Sequence, residues 1–444
     1  MSLKRSLYSF VLYLLFPLVL LRLLWRSRAN PDYRKRWSER LGFISTSKQK
    51  IHTQNVIWLH AVSVGEAIAA KPLIVGLLDN YPNFQLLVTT TTPTGSDRVK
   101  AIFADEIQQQ KIIHVYFPYD LLGAVSRFIK AFKPKILIVV ETEIWPNLYA
   151  RCHQQDIPVL MVNARLSEKS TKSYYKIKGL VAETLARVST IAVRSKIDAE
   201  RFQKLGAKLN QIKEVGNVKY DISIDESQVS AAKQLLKKWN TNHIKKRPVF
   251  VAASTHKGED EKIVFIYLNL LQQFPDLILV LVPRHPERFD EVYESCREHL
   301  PTSVMLHRHS QNSSSKDRTV NVILGDSMGE MQMWYATADV VFIGGSLVKT
   351  GGHNPLEATI FGVPVVSGQH MFNFEDIASE LSSTKLLYIC DDEFGLTNKI
   401  NSILSSAEKA NSEHADYHKK AELFMQQHRG VTARLLALVS GLID

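Results

Sequence analysis

At 444 residues the chain exceeds what one hydrophobic core serves, and its 45% hydrophobic content fits ordinary globular packing in two domains. Lys and Arg number 55 against 44 Asp and Glu, a net charge of +11 that favours anionic partners such as nucleotides or an acidic membrane surface. Three scattered cysteines, Cys152, Cys296 and Cys390, argue against a disulfide framework or zinc ribbon, and no interleaved aromatic and basic run supports nucleic-acid binding.

Leu7 to Leu21 carries no charge and is followed by Arg22, Arg26, Arg28, Arg34, Lys35 and Arg36. The run is short for a hydrocarbon core of about 30 Å, unless Arg22 snorkels and Leu23, Leu24 and Trp25 join it. It reads as an anchor over residues 1–28 that spans or dips. The positive charge after it places the body on the cytoplasmic side. No small-residue cleavage site precedes the basic cluster, so the anchor is read as retained.

From Val56, apolar runs alternate with amphipathic segments, the pattern of parallel sheets wrapped by helices. Expected strands are Val56–His60, Gln85–Thr89, Ile112–Tyr116, Lys135–Val140, Pro158–Val162, Thr190–Val193 and Ile212–Val215. Helical patterns cover Glu66–Asn80, Leu121–Phe132 and Glu168–Arg187. A polar, helix-prone stretch from Asp221 to Arg247 opens a second series, with strands at Val249–Ala253, Leu277–Val282, Val320–Leu324, Val340–Ile343, Pro364–Val366 and Leu386–Ile389. His309–Lys316 reads as a surface loop. The expectation is an α/β chain of two doubly wound domains, residues 29–220 and 221–444, facing a cleft, with the C-terminal helix returning to the first.

Chemistry-bearing residues gather where strands end. In His60-Ala61-Val62-Ser63-Val64-Gly65-Glu66, a carboxylate at a helix start can take the proton of an attacking hydroxyl. The helix dipole is expected to keep Glu66 ionised and lower its basicity, and a capping role competes with the catalytic one. Thr89 to Ser96, with Arg98 and Lys100 nearby, can hold acceptor phosphates or simply cap a helix. Glu141 and Glu143 end a very apolar strand, and one of the two is read as structural.

In the second half, Ser254, Thr255, His256 and Lys257 again join strand to helix, and Lys257 can reach a phosphate. Arg284 and Arg288 flank a Pro-bounded turn; a guanidinium there balances charge on a departing nucleotide, while a structural salt bridge is open for either. Gly344-Gly345-Ser346 and Gly351 to Ala358 offer backbone N–H groups to an anion, with Glu357 placed to chelate ribose hydroxyls. His60, His256, His285 and His353 lack metal-ligand spacing, so no metal is expected.

Taken in order, these motifs resemble the 3-deoxy-D-manno-oct-2-ulosonic acid (Kdo) transferases, the inner-membrane glycosyltransferases that attach Kdo to the lipid A precursor. The similarity runs from the basic segment Tyr33–Gly42 through His60–Glu66, Thr90–Gly95, Thr142–Asn147, Gly216–Asp221, Ser254–Glu259 and Pro283–Arg288 to Gly351–Glu357, with Ala358 where the family often has Pro. The resemblance implies a GT-B fold of two Rossmann-like domains, an acceptor-binding first and a donor-binding second, with no cofactor. It makes Glu66 the general base and places Arg284 on the CMP phosphate, with Asn354 and Glu357 on the nucleotide and Gly329, after Met328, near cytosine. Ser254, Thr255, His256, Lys257, His285, Glu330, Gly352 and His353 complete the donor set. Ser63, Thr90, Thr91, Thr92, Gly95, Arg98, Glu141 and Glu143 form the acceptor set. The partners implied are CMP-Kdo, a lipid A precursor and the cytoplasmic face of the inner membrane. A sugar-nucleotide 2-epimerase and a membrane-bound nucleotide sensor are the competing readings.

Overall fold

The computed structural model describes residues 2–28, 30–44, 55–241, 243–311, 321–407 and 413–443. The expected loop at His309–Lys316 falls outside the described residues from 312 onward, as does Val320. The chain divides into two compact units, Met1–Asp221 with His428–Asp444, and Ile222–Gln427.

The first unit holds a seven-stranded parallel sheet: β1 Val56–His60, β2 Gln85–Thr90, β3 Ile112–Tyr116, β4 Ile136–Val140, β5 Val159–Ala164, β6 Thr190–Val193 and β7 Ile212–Glu214, in spatial order β3-β2-β1-β4-β5-β6-β7. Side chains alternate across it. Val56 and Trp58 enter one core with Phe128 and Leu137, while Ile57 and Leu59 enter the other with Leu73 and Ile138. Each large apolar side chain so buried contributes roughly 1.5–3 kcal/mol. Both faces are covered, so these strands read as continuous apolar runs. The C-terminal helix Val431–Ile443 lies against Lys71–Asn80, where Leu435 and Val439 join the second core.

The second unit repeats the plan with β8 Val249–Thr255, β9 Ile278–Pro283, β10 Leu306–Arg308, β11 Val322–Leu324, β12 Val340–Ile343, β13 Val365–Ser367 and β14 Leu387–Ile389, all parallel, in order β10-β11-β9-β8-β12-β13-β14. Helices Asp260–Leu271 and Glu393–Ala407 pack together over one face, around Phe250, Phe342 and Val366.

Three sequence expectations need correction. The single helix expected over Glu66–Asn80 is two, Val64–Ala69 and Lys71–Asn80, because Pro72 has no N–H to continue the ladder. Glu168–Arg187 is likewise split into Glu168–Tyr175 and Lys178–Leu185. The edge strand β10 was not expected. The apolar N-terminal run lies within a longer helix, Leu3–Arg26, long and apolar enough by length and composition to cross a membrane.

Candidate active site

Each sheet has a switch point where neighbouring strands lead their connections to opposite sides, β1/β4 in the first and β8/β12 in the second. Ligands of open parallel sheets bind beyond the carboxyl ends of the strands at such points.

In the first unit, Glu66 follows β1 and Glu141 and Glu143 follow β4. Glu66 forms a variant of a capping box. Its own N–H bonds the Ser63 hydroxyl oxygen at 3.3 Å, while its carboxylate accepts from the Ser63 hydroxyl at 2.8 Å and the Val62 N–H at 2.7 Å. The cap therefore fixes the carboxylate at the strand end. Burial raises this carboxyl to about 7, against the Val62 and Ser63 hydrogen bonds and with a further push from the charge of Glu141. The expected loss of basicity is reversed: desolvation outweighs the helix start. A carboxylate poised near neutrality is a stronger base than an ordinary one.

Glu141 has φ 61°, a left-handed conformation costly for a residue with a Cβ. The backbone is thus not extended there. Glu143 is raised to about 7 by burial and then by the charges of Glu66 and Glu141. Three carboxylates therefore share one electrostatic neighbourhood. Among the described residues, no three His, Cys, Asp or Glu side chains form a metal-holding group.

The threonine cluster divides by use. Thr90 is buried, its hydroxyl 3.1 Å from His114 Nε2. Thr92 caps the helix Pro93–Ile102 by accepting from the Gly95 N–H at 3.1 Å. These contacts spend the Thr90 and Thr92 hydroxyls and the Gly95 amide within the protein. Thr91 donates to the Val62 carbonyl at 3.1 Å beside Ser63, and Arg98 is exposed. His60 is a core histidine, stacked on Phe117 at 3.8 Å and held neutral by burial.

In the second unit, the glycine loop after β12 is occupied from within. The buried carboxylate of Glu259 accepts from the N–H groups of Gly345 at 2.7 Å, Ser346 at 3.0 Å, Leu347 at 2.9 Å and His256 at 2.9 Å. Gly344 passes so close to β8 that a Cβ would sit 2.2 Å from the Ser254 carbonyl oxygen. The reading of Gly344-Gly345-Ser346 as an anion cradle is corrected accordingly: the anion it holds is Glu259.

What this clamp positions is a histidine cluster beside Arg284. His256 and His353 stack with centroids 5.1 Å apart and their Nε2 atoms at 2.9 Å, so one ring donates and the other accepts. His285 meets His256 edge-on at 5.4 Å. Burial, then nearby cationic groups including Arg284, lower both His256 and His353, the latter to about 4. Arg284 is exposed beyond β9, its backbone N–H on the Thr255 carbonyl at 3.0 Å. Arg288 instead bonds the Thr255 carbonyl at 3.2 Å and pairs with buried Asp260, which makes it the structural arginine.

Just ahead of the short helix Leu356–Thr359 that carries Glu357, Asn354 Oδ1 accepts from the Leu356 N–H at 3.2 Å. The Glu357 side chain is open to solvent by surface, yet surrounding protein crowds its carboxyl and raises it, opposed by Asn354 and Arg284. Gly352 takes φ 71°, and a Cβ there would lie 2.3 Å from Met371 Sδ. Met328 is exposed, Gly329 has open space around it, and Glu330 is tied to Ser327 and His309. Lys257 is exposed, 3.6 Å from Glu291.

The family described as 3-deoxy-D-manno-octulosonic-acid transferase (kdotransferase) matches residues 35–222. The 3-deoxy-D-manno-octulosonic acid transferase of Haemophilus influenzae is 38% identical over 442 residues, covering 99% of both chains. That of Bordetella pertussis is 33% identical over 73% of each. Among solved structures, UDP-GlcNAc 2-epimerase from Neisseria meningitidis superposes with a TM-score of 0.54 over 86% of this chain and 98% of its own, at 16% identity, a likeness of fold. A glycosyltransferase from Rickettsia africae does so at 0.53 over 88% of this chain and all of its own, at 11% identity. With two parallel seven-stranded sheets of GT-B type and a full-length relative at this identity, the chain belongs to the 3-deoxy-D-manno-octulosonic acid (Kdo) transferase family.

Proposed function

We propose that the protein transfers Kdo with inversion from CMP-Kdo to a hydroxyl of a lipid A precursor, at the cytoplasmic face of the inner membrane. The observation that carries the mechanism is Glu66, fixed at the end of β1 with its carboxyl raised to about 7. In this reading Glu66 takes the acceptor's hydroxyl proton as that oxygen bonds the anomeric carbon. The carbon–oxygen bond to CMP breaks on the opposite side, and its electron pair leaves on the phosphate.

The first unit is assigned to the acceptor, through Ser63, Thr91, Arg98 and the Glu141 and Glu143 edge. The second is assigned to the donor. Arg284 supplies a fixed positive charge for the leaving phosphate, and the neutral His256–His353 pair, with one N–H used between the rings, leaves a single N–H to donate without further charge. Asn354 and Glu357 hold the nucleotide, Glu357 through its ribose hydroxyls, and Met328 and Gly329 lie towards the base. Release of CMP from CMP-Kdo that requires the lipid acceptor tests this reading; binding without release supports a sensor instead.

A further inference from the structure

The N-terminal helix Leu3–Arg26 is attached to the first unit along one stripe. Arg5, Ser9, Leu23 and Ser27 are buried and Tyr8, Leu12, Phe16 and Leu20 half-buried, a spacing of three and four that keeps to one face throughout. The hydroxyls of the stripe are matched. The Ser2 hydroxyl donates to Glu183 at 2.5 Å, the Tyr8 hydroxyl to Asp120 at 3.1 Å and the Ser9 hydroxyl to Asn147 Oδ1 at 3.0 Å. Phe16 meets Tyr119 edge-on at 5.5 Å. Asp120 is itself buried and accepts from the N–H groups of Asn147 and Leu148, so this seam is continuous with the core of the unit.

The opposite face has no such cover. Leu7, Phe10, Leu14, Leu18, Leu21 and Trp25 are 59–68% exposed. At 1.5 Å per residue the helix is about 36 Å long, enough to span. Spanning, however, would strip the stripe from its partners and carry Ser2, Arg5, Tyr8 and Ser9 into hydrocarbon, or drag a folded unit in with them. A helix with one docked polar stripe and one bare apolar face is built to lie in an interface.

The charges complete the surface. Lys4, Arg22 and Arg26 are exposed along the same helix, and Arg28 is exposed just past its end. The Lys4 ammonium lies over Gly179, 2.5 Å from where a Cβ would stand, which brings the preceding turn beside the helix. In that turn Tyr175 and Ile177 are 58% and 52% exposed, next to exposed Lys176 and Lys178. Basic residues around bare apolar ones match an anionic lipid surface.

We infer that the outer face of Leu3–Arg26 lies in the plane of one leaflet of an anionic bilayer, with Tyr175 and Ile177 entering the headgroup layer beside it, and that the helix does not span. The inference does not rest on the sugar-transfer reading.

The test uses the full chain with Cys390→Ser, Cys152 and Cys296 being buried, and a nitrobenzoxadiazole probe at Leu7→Cys, Leu14→Cys, Leu21→Cys or Ile177→Cys. These positions are exposed, so the docked stripe is untouched. On vesicles of phosphatidylcholine and phosphatidylglycerol, quenching by lipid nitroxides at two depths is expected to place all four probes at one shallow depth. On phosphatidylcholine alone, binding is expected to weaken at least about tenfold. The inference is overturned by a Leu14 probe at the bilayer centre with Leu7 and Leu21 in opposite leaflets, by an unquenched Ile177 probe, or by equal binding to both vesicles.

Discussion

The carboxylate of Glu259 accepts a 2.7 Å hydrogen bond from the N–H of Gly345, closing the glycine loop after β12 with an anion from the protein's own chain. Four backbone N–H groups depend on that one side chain. In Glu259→Gln, the amide NH2 replaces one acceptor and faces donors. The substitution should cost about 2–4 kcal/mol of stability, read by denaturant unfolding, with activity falling because the loop that seats His353 loosens.

The site carboxylates set a pH dependence of known sign. The Glu143 carboxyl is raised in the folded protein to about 7 from an ordinary 4.5, so the stability it contributes is present at low pH and lost as pH rises through about 7. Glu143→Gln, which cannot ionise, should therefore raise Tm by about 2–4 °C near pH 8 and leave it unchanged near pH 4. Melting curves at the two pH values check this.

Glu66 must be ionised to accept a proton, so kcat should climb with pH through about 7. Because the charge of Glu141 is among the causes that raise Glu66, Glu141→Gln should move this limb to lower pH. A pH–rate profile of both proteins reads the shift directly.

The two arginines of the Pro-bounded turn should separate cleanly. Arg284→Ala should fold normally and lose about 10²-fold in kcat/KM, since its guanidinium has no ion-pair partner among the described residues to strand. Arg288→Ala leaves Asp260 buried without its cation and should lose about 3–5 kcal/mol of stability. Paired kinetics and unfolding curves distinguish the roles.

Much of the fold was legible because fully buried parallel strands are short apolar runs between turn residues. The bounds of β1, β3, β6 and β12 follow from composition alone. The strand β10 escaped because Leu306–Arg308 is a three-residue, half-buried edge with a polar centre. Glu66, Arg284 and His353 stand out in the sequence because their residue types cluster with glycine and proline near strand ends. Glu259 gave no sign of its role, since its partner Gly345 lies 86 residues away. Nor does a glutamate announce a left-handed backbone, so the turn at Glu141 that brings the carboxylates into one neighbourhood was invisible in the sequence.

The most direct test is mass spectrometry of the product formed from CMP-Kdo and a purified lipid A precursor, by the wild-type protein and by Glu66→Gln. The wild type should yield acceptor carrying added Kdo together with free CMP. The variant should fold with an unchanged circular dichroism spectrum and turn over about 10²–10⁴-fold more slowly. An acceptor of unchanged mass with the wild type, or full turnover by a folded Glu66→Gln, would contradict it.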